Sequence, residues 1–394
     1  MQLINSSKEF TFKGASLPDM PILIDGDCEI VKPVFRFTVY LTIQDARIQS
    51  PRTINNYTSA LYDYFSFIEA NQLTWDEPYL NDAENFTISV LALYRNWSRT
   101  LKDKSGVRSV SDSTINLRLS VLKRFYEYCY SAGIINFEPW ETLFKVQLET
   151  MPGFLRHTRG QKIVKGNDLT LRTFKKPPKL LSLSQCKELL SAIDSATFKL
   201  TTKLLLSTGI RKDELVSFVV ANISEPDLRK LNKRIPIDLV PVEGGQRTKG
   251  CKPRRIFVSV PLMKELWDYL HFGERVVRGR KHEEKYGSES QFLFLNRFGS
   301  PYGETALNNT YDRLSEGKSP KINFKVSPHM LRHTYATIEL FAESQRVGTT
   351  KALAWVQKRL GHSSLSTTSV YLHCIELLQE HELSTYQAEL DAME

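Results

Sequence analysis

The stretch "VSPHMLRHTYATIELF", residues 326–341, concentrates groups able to do chemistry on a charged substrate. His329, Arg332 and His333 stand at i, i+3 and i+4, so a helix over this stretch projects them from nearly one face. A guanidinium there can grip a phosphate through paired N–H bonds and stabilise charge developing on its oxygens. Imidazoles can move protons near neutral pH, which lysine and arginine do poorly without strong pKa shifts. The same residues also fit a structural reading, with one histidine capping its helix, the other bonding a buried carbonyl, and Arg332 in an ion pair. Zinc fits less well. The glutamate of a helical zinc motif is missing between the histidines, and a guanidinium among the ligands repels the cation.

A second stretch, "VQKRLGHSSLSTTSVYLH", presents His362 on the exit turn that Leu360 and Gly361 make at a helix end, with Tyr371 nine residues later. Taken singly, His362 reads as structural and Tyr371 is one of 16 tyrosines. Two tyrosines thus compete as nucleophile: Tyr335, beside the histidines in sequence, and Tyr371.

The elements that must position these groups follow from periodicity. Before residue 150 the pattern is helical. "SPRTINNYTSALYDYFSFIEAN" starts at Ser50 and Pro51 and repeats apolar residues every three or four positions from Ile54 to Ile68. A second helix is expected in "FTISVLALYRNWSRTL". A third lies in "SDSTINLRLSVLKRFYEYCYSAG", ending at Gly133. Its Arg118, Lys123 and Arg124 suit either phosphate contact or a solvated face. Residues 151–179 are basic and rich in Pro and Gly, as expected of a linker. Helices resume in "SLSQCKELLSAI" and "KLTTKLLLSTGIRKDELVSFV", where Thr208 and Gly209 break the pattern and leave Arg211 between two helices. From "KRIPIDLVPVEGG" to "KPRRIFVSVP" the period shortens toward two, so Lys249 and Lys252 sit on or beside a β-hairpin.

In this order the segments resemble the tyrosine recombinase (phage-integrase-like) family. "TGIRKDEL" is similar to its first arginine segment, "TKGCKPRRIFV" to its lysine hairpin, "HMLRHTYAT" to its second arginine helix and "LGHSSLSTTSVYLH" to its histidine and nucleophile segment. The resemblance implies a mainly α fold with a small antiparallel β-sheet. It places an N-terminal extension at 1–29, a helical core-DNA-binding domain at 30–150, the linker at 151–179 and a mixed α/β catalytic domain at 180–374. A C-terminal tail at 375–394 would pack on a neighbouring protomer. It further implies that Arg211 and Arg332 hold a scissile DNA phosphate, that His329 and His362 serve its transition state and that Tyr371 attacks it. Lys249 would protonate the leaving 5′ oxygen, with Lys252 as runner-up. Glu214 and His333 would support the site, while His329 exchanges the tyrosine proton. The product would be a 3′-phosphotyrosyl link, resealed by a 5′ hydroxyl without ATP, cofactor or required metal.

The expected partners are duplex DNA recombination sites, held by a homotetramer on two sites, with a DNA-bending or directionality protein as a possible accessory. Phosphate contacts are expected from the basic linker and from "KPRR". The expected role is integration or excision of a mobile element. Alternatives are chromosome or plasmid dimer resolution by the same chemistry, a non-catalytic DNA-binding protein retaining the fold, and topoisomerase-like relaxation as a side activity.

Composition agrees with a DNA partner without requiring one: 53 Lys and Arg against 44 Asp and Glu leave a net charge of +9. A hydrophobic share of 41% over 394 residues supports more than one core and excludes dominant disorder. The five cysteines lack paired or metal-ligand spacing, which points to a reducing compartment. With neither a signal-peptide pattern nor an apolar run of membrane-spanning length, a cytoplasmic, DNA-associated protein is expected.

Overall fold

The chain divides into two units, Met1–Lys175 and Lys176–Glu394, each with one large hydrophobic core and a smaller one beside it. The computed structural model describes residues 1–45, 50–77, 79–81, 87–137, 143–148, 161–166, 169–173, 177–231, 233–317, 321–362 and 364–375. The architecture is mainly α-helical with small two-stranded antiparallel sheets. The tail expected at 375–394 lies, beyond Ile375, outside the described residues.

In the first unit, β1 (Gln2–Asn5) pairs with β4 (Pro21–Ile24) around a short ribbon of β2 (Thr11–Phe12) and β3 (Ala15–Ser16). Residues 1–29 pack onto the helices rather than standing apart from them: Leu23 enters the helical core and the N-terminal ammonium bonds Glu69 at 2.5 Å. The helices are α1 (Lys32–Ile43), α2 (Pro51–Ala70), α3 (Val90–Thr100) and α4 (Asp112–Ser131), with the short pair β5 (Tyr79–Asn81) and β6 (Thr87–Ser89) ahead of α3. On α2 the buried set Ile54, Leu61, Tyr64, Phe65 and Ile68 has the three-and-four spacing expected of one helical face. Ser111 caps α4 by accepting the Thr114 backbone N–H. Its basic face is tied to acids: Arg118 bonds Asp63 at 2.6 Å, and Arg124 pairs with Asp45 and donates to the Tyr57 hydroxyl. These two guanidiniums are held in ion pairs within this unit, a role that neither the phosphate-contact nor the solvated-face expectation names. In the expected linker β8 (Gln161–Gly166) pairs antiparallel with β7 (Leu143–Leu148), which lies before the linker in the segment expected to be helical.

The second unit contains α5 (Leu183–Ala192), α6 (Ala196–Thr208), α7 (Lys212–Val216), the hairpin β9 (Arg234–Leu239) and β10 (Arg254–Ser259), α8 (Val260–His271), α9 (Glu274–Tyr286) and α10 (Ala306–Glu316). The last three helices are α11 (Pro328–Val347), α12 (Thr349–Leu360) and α13 (Leu365–Ile375). The segment "AESQRVGTTKALA" is helical, divided between the end of α11 and the start of α12 at Gly348. Helix α11 joins two cores. Leu331, Ile338 and Phe341 pack toward α6 and the hairpin, whereas Tyr335, Ala336 and Leu340 pack with α12 and Tyr371. A helix buried on both sides in this way has little freedom to rotate, and its polar residues are correspondingly fixed.

Candidate active site

Three arginines converge on the C-terminal end of α12. Helix α6 ends at Gly209, whose φ of +58° starts the chain toward Arg211, the residue before α7. A Cβ at Gly209 would stand 2.3 Å from the Tyr335 ring, so both conformation and space call for glycine. Arg211 donates to the carbonyls of Leu360 at 2.9 Å and Gly361 at 2.8 Å. Arg332, only 4% exposed, donates to the carbonyls of Gly209 and Leu360. Arg254 donates to the Arg359 carbonyl at 2.5 Å. The last carbonyls of a helix lack intrahelical partners and carry the negative end of its dipole, so this terminus suits cations.

Glu214, fully buried, balances part of this charge. It accepts from Arg211 Nη1 at 2.9 Å and from Arg254 Nη2 at 2.6 Å, and takes the Arg211 backbone N–H as well. Burial pushes its pKa up, but Arg254 and Arg211 more than offset that and hold it below the ordinary carboxylate value. Burial lowers the Arg332 pKa, with Arg254 and Arg211 adding to the effect, to about 9, which still leaves it protonated at neutral pH.

The imidazoles and the tyrosine form the other half of the site. His333 Nδ1 lies 2.9 Å from the Tyr371 hydroxyl. The His362 ring faces Tyr371 with centroids 6.2 Å apart, bonds the Thr368 hydroxyl through Nδ1 at 3.0 Å, and has Nε2 3.5 Å from Arg332. His329 stacks on His333 at 5.6 Å and is itself exposed. Loss of solvent around each ring, partial for His329 against His333, lowers all three histidine pKa values, and neighbouring cations or imidazoles reinforce it, bringing His333 and His362 to about 4. Neutral imidazoles at pH 7 are therefore available as proton acceptors. Burial raises the Tyr371 pKa, with Arg332 pulling the other way.

Lys249 opens a one-turn 3₁₀ segment, Lys249–Cys251, at the start of the return toward β10. Both Lys249 and Lys252 are exposed. The charge of Lys249 is among those that lower the His329 pKa.

The fold thus brings Arg211, Glu214, Arg332 and His362 into one bonded group and sets the bonded pair His333–Tyr371 beside it through the His362–Tyr371 ring contact, with His329 stacked at its edge and Lys249 within electrostatic reach. Tyr335 is elsewhere: it is buried beneath Gly209 with its hydroxyl toward Arg359. The sequence reading gave the tyrosine proton to His329, whereas the histidine in contact with the hydroxyl is His333. Arg254 was overlooked as a member of the site, being grouped within "KPRR" as a phosphate contact. Its position at the first residue of β10, where the side chain turns toward Glu214, is the signal that strand alternation could have supplied. Its neighbour Arg255 points the other way and pairs with Asp238 on β9. Among the described residues no cluster of three or more His, Cys, Asp or Glu could hold a metal ion, and no helix is long and apolar enough to cross a membrane.

Residues 179–376, half of the chain, match the Phage integrase family, and residues 34–133 match the Phage integrase, N-terminal SAM-like domain. The chain is 28% identical over 379 residues to Transposase A from transposon Tn554 of Staphylococcus aureus, covering 93% of each protein. It is 24% identical over 357 residues to Tyrosine recombinase XerC of Lacticaseibacillus casei, covering 90% of this chain and 98% of that one. The fold is shared with XerH site-specific recombinase bound to difH substrate (TM-score 0.51, 19% identity, 87% of this chain and 83% of that one). It is shared also with the Tn1549 transposon integrase in complex with a circular intermediate DNA (TM-score 0.53, 17% identity, 86% and 94%). The chain belongs to the phage integrase family of tyrosine recombinases, DNA-binding enzymes that cleave and rejoin DNA strands.

Proposed function

We propose that this chain is a site-specific recombinase that integrates or excises a mobile element, and that Tyr371 is its nucleophile. The observation that carries the chemistry is the bond between the Tyr371 hydroxyl and a neutral His333, beside two arginines anchored by carbonyls. A phenol with an ordinary pKa of about 10 is a poor nucleophile at pH 7, so it needs both a proton acceptor and stabilisation of the charge its attack creates. In the proposed reaction Tyr371 attacks phosphorus, its proton passes to His333 Nδ1, and Arg211 and Arg332 stabilise the phosphate oxygens. The bond to the 5′ oxygen breaks, and Lys249 supplies that oxygen with a proton. His362, which accepts from Arg332 through Nε2 and bonds Thr368 through Nδ1, serves the phosphate by holding Arg332, and His329 modulates the field at its edge. The 3′-phosphotyrosyl bond keeps the ester linkage, so a 5′ hydroxyl from the partner duplex can reverse the step and join strands.

The mobile-element assignment is supported by the resemblance to a transposon-encoded protein across nearly the full length of both chains. Dimer resolution is the second reading, supported by the similarity to XerC over 90% of the chain. Four protomers on two DNA sites, each covering one half-site, fit strand exchange in either role, with an accessory DNA-bending protein where direction must be set.

The test uses duplexes tiled from the DNA flanking the coding region, each carrying a nick that lets the cleaved end diffuse away. Covalent attachment of protein to a DNA 3′ end is expected on a site at an element boundary. Binding without any covalent product on the whole set would favour a non-catalytic DNA-binding protein. Covalent product confined to a chromosomal or plasmid resolution site would favour dimer resolution.

A further inference from the structure

The three guanidiniums of the site are held by three successive carbonyls, those of Arg359, Leu360 and Gly361. These carbonyls belong to the last turn of a helix, where chains ordinarily fray. A frayed turn here would take a carbonyl anchor from Arg211, Arg254 and Arg332 together, leaving the first two on Glu214 and the third on the Gly209 carbonyl. The side chain of Arg359 is placed to prevent this. Its guanidinium lies between two aromatic faces, 3.7 Å from the Trp355 ring centroid on the preceding turn of α12 and 4.0 Å from that of Phe257 on β10. Its Nη1 donates at 3.0 Å to Glu339 of α11, which is 3% exposed and also accepts from Arg234 of β9 at 2.6 Å. Thus one partly buried cation ties the end of α12 to the hairpin and to α11, the helix that carries Arg332.

We infer that Arg359 is a positioning residue of the recombinase. Its side chain clamps the α12 terminus so that the carbonyls of residues 359–361 hold the phosphate-binding arginines at one fixed spacing. Arg359 does not itself meet DNA phosphate: its faces are covered by rings, and its charge is committed to Glu339. The inference rests on the assignment of Arg211 and Arg332 to the scissile phosphate, and its test separates the two.

The experiment measures single-turnover formation of the covalent adduct by wild type, Arg359→Met and Arg359→Lys on the flanking-DNA duplex that wild type cleaves. The duplex is made with an ordinary scissile phosphate and, separately, with an uncharged methylphosphonate. Arg359→Lys keeps the charge beside Glu339 but loses the planar stacking, and melting curves establish that each variant folds. If Arg359→Met does not fold, Arg359→Lys carries the test. On the phosphodiester both variants are expected to slow adduct formation by about tenfold or more at saturating protein, with the Kd for the same duplex changed by less than about threefold. On the methylphosphonate, which has no charge for the arginines to balance, the difference from wild type is expected to shrink below about threefold. A wild-type rate for both variants on the phosphodiester overturns the inference. So does an equal loss on both substrates, which would make Arg359 a residue of general stability. If wild type itself forms no adduct on any duplex, the phosphate assignment fails first and the clamp loses its purpose with it.

Discussion

The Nδ1 atom of His333 lies 2.9 Å from the hydroxyl of Tyr371, although 38 residues separate the two in the chain. Burial holds this imidazole neutral and keeps the phenol protonated, so the phenol donates and the imidazole accepts. Tyr335, two residues from His333, turns to the opposite side of α11 and packs under Gly209. The helical repeat separates them: residues two apart on a helix point in nearly opposite directions.

His333→Gln is therefore expected to lower the single-turnover rate of adduct formation by about a hundredfold, in the range of a lost general base, while leaving DNA affinity unchanged. His329→Gln should cost distinctly less. A larger loss from His329→Gln would return the proton-accepting role to His329.

Stability should fall as the medium is acidified. His333 and His362 have folded pKa values of about 4 against an ordinary 6.5, so between these limits the unfolded chain binds more protons than the folded one. Their burial is harmless to stability above about pH 6.5 and becomes increasingly unfavourable as pH drops to about 4. Glu214, depressed below its ordinary value, adds stability that is lost at still lower pH. Melting temperature measured across this range should decline, and the double variant His333→Gln, His362→Gln should show a shallower decline between pH 6.5 and 4.

Lys249 and Lys252 are separable by leaving-group chemistry. A 5′-bridging sulfur leaves as thiolate and needs no proton, because its conjugate acid is far stronger than an alcohol. Lys249→Ala should reduce cleavage of the ordinary duplex by about 10²–10⁴-fold and be restored on the sulfur-bridged duplex. Lys252→Ala should behave nearly as wild type on both. The reverse pattern would make Lys252 the acid.

Gly209→Ala combines a left-handed backbone with a 2.3 Å approach to the Tyr335 ring. Strain alone costs about 1–3 kcal/mol, and the displaced ring adds to it. The expected result is a clear loss in urea-unfolding stability. Combining Gly209→Ala with Tyr335→Ala should cost less than the sum of the two single changes, since the clash is then absent.

Much of the fold was legible because its signals are local. Ser50 and Pro51 announce α2, Gly209 ends α6, and the period-two run from Arg234 marks the hairpin. The residue types of the proposed site stand at ordered intervals in the sequence, and Tyr371, preferred there over Tyr335, is the tyrosine whose hydroxyl meets His333. The partners of each group were not. That three arginines share the end of α12 depends on carbonyls, which no side-chain pattern reveals. The choice between His329 and His333 depends on the rotation of α11 between two cores. Helix α1 was missed, its run of aromatic and β-branched residues lacking a clear polar stripe. Arg118 and Arg124 looked available to DNA because their acidic partners, Asp63 and Asp45, lie 55 and 79 residues away in sequence.

The most direct measurement is the identity of the residue joined to DNA. Protein trapped on a nicked flanking-DNA duplex is digested with protease, and the nucleotide-bearing peptide is sequenced by mass spectrometry. A 3′-phosphate ester on Tyr371, abolished by Tyr371→Phe and retained in Tyr335→Phe, is the expected result. An adduct that survives Tyr371→Phe and disappears in Tyr335→Phe would contradict the assignment of the nucleophile.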